Sequence, residues 1–127
     1  MPSVARALRL AERIRQEIAD LMLRDLADPR FQGLSVTDVR VDREFAFADV
    51  YVSAVEANED RREEMLKALE GARGHVRHEL AARIPLRTFP QVRFHWDPTP
   101  ERAERLESLI DQLKDAGQGT RPAEKNG

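Results

Sequence analysis

Two glycines, three histidines and a run of arginines are the residues in this 127-residue chain whose types and spacing could do chemistry. His75 and His78 stand three apart and His95 lies further on, a pattern that raises metal binding. It fails on its neighbours: the chain has no cysteine and no His-Glu-x-x-His run. No metal or other cofactor is expected. Gly71 and Gly74 make neither a P-loop nor a dinucleotide fingerprint, because the required lysine and the preceding strand are missing. Nucleotide hydrolysis is therefore not expected, and the chain reads as a binder rather than an enzyme.

What remains is cationic. Between Arg61 and Trp96, Arg61, Arg62, Lys67, Arg73, Arg77, Arg83, Arg87 and Arg93 face only Glu63, Glu64, Glu70 and Glu79, in a chain whose net charge is −2. From Asp38 to Asp60 the balance reverses, with acids outnumbering arginines. Such asymmetry orients a protein on a polyanion, since one side is repelled while the other docks. A surface mosaic of solvated charges is the alternative that spacing alone leaves open. With only Tyr51, Trp96 and five phenylalanines, base stacking is expected to be minor and backbone contact dominant.

The elements that must position these residues follow from periodicity. Val4, Leu8, Ala11, Ile14, Ile18, Leu21, Met22 and Leu26 form the apolar stripe of a long first helix, leaving Arg6, Arg9 and Arg13 together on another side. Asp28-Pro29 ends that helix. Two antiparallel strands follow, with Val36, Val39 and Val41 on the first and Ala48, Val50, Val52 and Ala54 alternating on the second, joined at Asp42-Arg43-Glu44. Met65, Leu66, Ala68, Leu69 and Ala72 predict a helix capped by Asn58 or Asp60. Gly71 and Gly74, each costing about 1 kcal/mol against alanine, predict a break or kink there. A second helix opening near Gly74 would offer unpaired amides to a phosphate, flanked by Arg73 and Arg77. Val76, Leu80 and Ile84 carry it to Pro85, and a strand with Val92, Phe94 and Trp96 on one face follows. Ala103, Leu106, Leu109, Ile110 and Leu113 predict the buried stripe of a last helix, capped by Asp97 or Thr99. Residues 114–127 lack large apolar side chains and read as a disordered tail after a single domain spanning 1–113.

Six blocks in register resemble the bacterial ribosome-binding factor A family: Asp28-Pro29-Arg30; Val36-Thr37-Asp38-Val39; Ala48-Asp49-Val50-Tyr51-Val52-Ser53; Ala72-Arg73-Gly74 with Arg77 and Leu80; Leu86-Arg87 with Pro90; and Phe94 with Asp97. The resemblance spans roughly Val4 to Leu113. It implies an α+β, type II KH-like domain with a three-stranded sheet, helices on one face, and a helix-kink-helix at Ala72-Arg73-Gly74 where KH domains carry a backbone-clamping Gly-x-x-Gly loop. It also implies a partner, the immature 30S ribosomal subunit with its 16S rRNA, and a role in 16S rRNA 5′-end processing and cold adaptation. The family usually has an apolar or aromatic residue after the kink glycine; here it is His75. The expected RNA-binding residues are Arg73, Gly74, Arg77, Arg83, Arg87 and Arg93, with Arg6, Arg9 and Arg13 beside them. A protein-interaction module using the open sheet face or the tail is the rival reading.

The N-terminus lacks the apolar run of a signal peptide, and no stretch of 18 apolar residues suggests a membrane span. A soluble, cytoplasmic monomer is expected, in keeping with the missing cysteines.

Overall fold

The structure, a computed structural model, describes residues 4–24, 29–55 and 57–124, with side chains described through residue 116. Helix α1 (Val4–Arg24) leads through a short 3-10 turn (Pro29–Phe31) to β1 (Leu34–Val41) and β2 (Phe47–Ala54). Helix α2 (Glu59–Arg83) then crosses over to β3 (Gln91–Trp96), and α3 (Thr99–Glu124) ends the described chain. Leu26 and Asp28, assigned to the end of the first helix and its stop signal, lie outside the described residues.

β1 and β2 pair antiparallel, as the short polar connection predicts, and β3 joins the far side of β2 in parallel, giving a mixed sheet ordered β1-β2-β3. A parallel neighbour requires a long crossover, which α2 provides. Ala48, Val50 and Val52 are fully buried on one sheet face, where Val39 and Val92 join them. α1 and α2 cover that face, contributing Ile14, Ile18, Leu21, Leu69, Val76 and Leu80 to one cluster. The register slips between Val36 and Asp38, a bulge at Thr37 whose hydroxyl donates to the carboxylate of Asp97 at 2.5 Å.

Three expectations are corrected. The stripe of α1 is rotated at its start: Ala7 and Leu10 are buried while Val4 and Leu8 are exposed. At the N-terminal end of the helix, then, alanine and leucine set off from the expected stripe face the core. Next, α2 is one uninterrupted helix of 25 residues, so no second helix opens at Gly74. Both glycines lie on its solvent side, where an added Cβ would meet nothing within 4 Å. The buried residues Met65, Ala68 and Leu69 before the glycines and Val76 and Leu80 after them fall on one face, and their common burial carries the helix through. Its N-cap is Asn58, whose side-chain oxygen accepts from the Arg61 amide at 2.8 Å.

The third correction concerns α3. The chain divides into two compact units at Asp97/Pro98, so α3 is described by itself. Leu106, Leu109, Ile110 and Leu113, expected to be buried, are 58%, 50%, 41% and 70% exposed. The helical backbone also passes Leu113 and runs to Glu124, where a disordered tail was expected from Lys114.

Candidate nucleic-acid interface

Four of the nine residues singled out from sequence are engaged inside the domain. Arg77, expected to contact RNA, is half-buried and donates from Nη2 to the carbonyl oxygen of Phe89 at 2.6 Å and from Nε to that of Pro90 at 3.1 Å. It holds the loop between α2 and β3. Arg83 reaches back to α1, where its Nη1 lies 3.8 Å from the Glu17 carboxylate and 3.7 Å from that of Asp20. Arg13 returns the contact, donating to the backbone carbonyl of Arg83 at 3.1 Å and to Glu17 at 3.0 Å. A cation at the last carbonyls of α2 also complements the negative end of the helix dipole.

Arg93 is the fourth. Its guanidinium makes a two-pronged bond with Asp49, at 2.7 and 3.0 Å, and lies over the Phe47 ring at 3.9 Å. His95 Nε2 adds a 2.7 Å contact to the same carboxylate while its ring stacks on Tyr51 at 5.0 Å. Burial raises the Asp49 carboxyl pKa, but the bonds from Arg93 and His95 outweigh it and hold the group below the usual carboxylate range. The same bond with Asp49 raises the Arg93 guanidinium. Sequence alternation places Arg93 and His95 on one face; the Asp49 partner needs the parallel register, which pairs Asp49 with Arg93 and Tyr51 with His95.

The other five are open to a partner in different degrees. Arg73 is exposed and pairs with Glu70 one turn back, at 2.8 Å, a surface pair of the kind worth about 0–1 kcal/mol. Gly74 lies beside it on bare helix surface. Arg6 sits over the Phe45 ring at 5.7 Å. Arg9 and Arg87 are exposed and make no hydrogen bond or ion pair among the described residues.

Arg6, Arg9 and Arg87 gather at one end of the α1–α2–sheet unit. The Arg13–Arg83 contact sets the N-terminal half of α1 beside the end of α2, and Arg87 follows four residues later. Arg9 is one turn from Arg13, about 6 Å along the helix. Arg6 touches the β1–β2 turn through Phe45, and the Gln91 amide donates to Ala46 in that turn at 2.9 Å, so the turn and the start of β3 share this end. Gly74 and Arg73 lie nine and ten residues before Arg83 on α2, roughly 15 Å away along its outer side. The nine residues thus form a cationic end and a separate glycine-bearing strip, not one ridge.

The three histidines do not converge: His75 and His78 are on α2 and His95 is on β3. Among the described residues no group of three or more histidines, cysteines or acids could hold a metal. An apolar groove of about 470 Å³ lies where the second half of α1 meets the start of β1, lined in part by Met22, Leu23, Phe31 and Leu34, with no titratable side chain.

Residues 6–110 match the family model described as ribosome-binding factor A. The chain belongs to the ribosome-binding factor A family. It is 41% identical over 113 residues to ribosome-binding factor A of Chromohalobacter salexigens, covering 88% of this chain and 86% of that one. With the factor from Sorangium cellulosum it shares 39% over 120 residues, 93% and 96% of the two chains. The crystal structure of ribosome-binding factor A from Thermus thermophilus superposes with a TM-score of 0.61 at 29% identity, over 70% of this chain and 93% of that one. A homology model of the Thermus thermophilus factor, fitted into the cryo-electron-microscopy map of a 30S complex, gives a TM-score of 0.58 at 27% identity, over 69% and 91%. Family membership and the three-stranded mixed sheet with its helices agree with the α+β class expected from sequence.

Proposed function

We propose that this chain is an assembly factor of the small ribosomal subunit, a binder without catalytic activity that docks on 16S rRNA of the immature 30S particle. The observation that carries the reading is the cationic end of the α1–α2–sheet unit, where Arg9 and Arg87 stand exposed and unpaired among the described residues, with Arg6 beside them. An arginine already bonded to a carboxylate has little to gain from a phosphate, whereas an unpaired one exchanges only water and counterions. The 30S complex of the related Thermus thermophilus factor supports the choice of partner. Support for 16S rRNA 5′-end processing and for growth in the cold, a cytoplasmic site of action and a monomeric state belong to the same proposal. So does the type II KH-like character of the domain, for which the bare glycine strip of α2 supplies a surface that a nucleic-acid backbone can approach closely.

Binding to purified small subunits across a salt series tests it, with Arg9→Glu, Arg87→Glu and, at the far end of α1, Arg24→Glu as a control. Each of the first two should flatten the dependence of log affinity on log salt by about 0.7–0.9 for every phosphate the arginine neutralises, and Arg24→Glu should not. Depletion of the protein should let precursor 16S rRNA accumulate, more so in the cold. The exposed apolar residues of α3 favour a second reading, a protein-interaction module. That reading expects no salt-sensitive affinity for RNA.

A further inference from the structure

We infer that Arg43, at the tip of the β1–β2 turn, is an additional phosphate contact, and that Phe45 fixes the turn that presents it. The inference rests on the rRNA-binding reading and extends it to a residue outside the helix-borne set.

The turn is tightly constrained. Its first residue, Asp42, makes three hydrogen bonds: its carboxylate accepts from the Phe47 amide at 2.7 Å, its carbonyl accepts from the Phe45 amide at 3.0 Å, and its own amide closes the ring by donating to the Phe47 carbonyl at 3.4 Å. Phe45 has a φ of 59°, the left-handed conformation that glycine ordinarily supplies, and is the single non-glycine residue with positive φ among those described. A glycine would adopt it without strain but would lose the ring, which packs against the hydrophobic core and lies under the Arg6 guanidinium at 5.7 Å. The strain is tolerated because the side chain anchors the turn from below. Arg43 is left projecting from this fixed base, exposed and without a hydrogen bond or ion pair among the described residues.

Placement supplies the ligand. The turn lies at the cationic end, tied to β3 by the Gln91–Ala46 bond and to α1 by Arg6 over Phe45. The acids beside Arg43 differ in availability: Asp42 is consumed by the Phe47 amide, and Glu44 is exposed. A phosphodiester backbone crossing from Arg9 and Arg87 toward this turn therefore meets one available cation and one available acid. Substitutions at the two should act in opposite directions.

Purified small subunits are titrated across a salt series with wild type, Arg43→Glu, Glu44→Gln and Arg87→Glu, folding being checked by circular dichroism. Arg43→Glu should weaken binding about tenfold and flatten the salt slope by about 0.7–0.9, while Glu44→Gln tightens binding. If Arg43→Glu leaves affinity and slope unchanged while Arg87→Glu weakens binding, the inference is overturned and the rRNA reading stands. Weakened binding with an unchanged slope also overturns it, because the same number of phosphates is then neutralised with and without Arg43. Unchanged binding in both arginine variants overturns the inference and the rRNA reading together.

Discussion

Arg77 on α2 places its Nη2 2.6 Å from the carbonyl oxygen of Phe89, and this bond, with the one to Pro90, holds the loop that delivers β3 to the sheet. An arginine that reads from sequence as a phosphate ligand is thus a structural tie. Arg77→Glu should cost about 1.5–3 kcal/mol, the range for hydrogen bonds to a charged group, because two loop carbonyls lose their donor to a carboxylate. Arg73→Glu, whose partner is an exposed glutamate, should stay within about 0.5 kcal/mol. Urea unfolding of the two single variants separates them. Equal midpoints would show that the loop is held by other means.

Gly71 and Gly74 occupy helical positions with open space where a Cβ would go. Replacing either with alanine should stabilise the protein by about 0.5–1 kcal/mol, since the helix gains propensity without a clash. If the bare strip is approached closely by RNA backbone, the same variants should bind small subunits more weakly. Denaturant midpoints and subunit titrations read the two effects separately; a gain in stability with full binding would remove the strip from the interface.

Asp49 gives a pH dependence of known sign. Its folded-state carboxyl titrates below its unfolded value of about 3.9, so its contribution is complete above that value and fades as pH falls through the lower, folded one. Asp49→Asn should therefore be less stable than wild type at neutral pH, and the gap should narrow below about pH 4. A gap independent of pH would show that the deficit is one of packing around Arg93 and His95 rather than of charge.

Removal of residues 114–127 should change the stability of the α1–α2–sheet unit by less than about 0.5 kcal/mol, since every residue of its core cluster precedes α3. A fall of several degrees in melting temperature would show that the end of α3 supports the fold.

How much of this could be read from the chain depends on whether a feature is local. The strand faces of Ala48, Val50 and Val52, the Asn58 cap and the second half of α2 follow from period and residue type, which are local signals. The continuity of α2 does not: propensity counts two glycines against it, and tertiary burial on both sides outweighs them. The roles of the arginines are least legible, because a side chain's availability is decided by distant partners. Arg83 meets Glu17 sixty-six residues away, and Arg93 meets Asp49 across forty-four. Arg43 and Phe45 could not be ranked from their types; the left-handed turn that distinguishes them is a conformation, not a composition.

The parallel register of β2 and β3 also sets an order of events. β1 and β2 can zip together as a local hairpin as soon as Ala54 is available, but β2 then has an unsatisfied edge until the whole of α2 has been traversed and Gln91–Trp96 arrives. That closure spans more than forty residues and must be made before its bonds repay the lost chain entropy. The folding rate should accordingly be governed by the docking of α2 on the hairpin. A protein made on a ribosome would thus keep its central strand half-paired until at least three-quarters of its length had been synthesised.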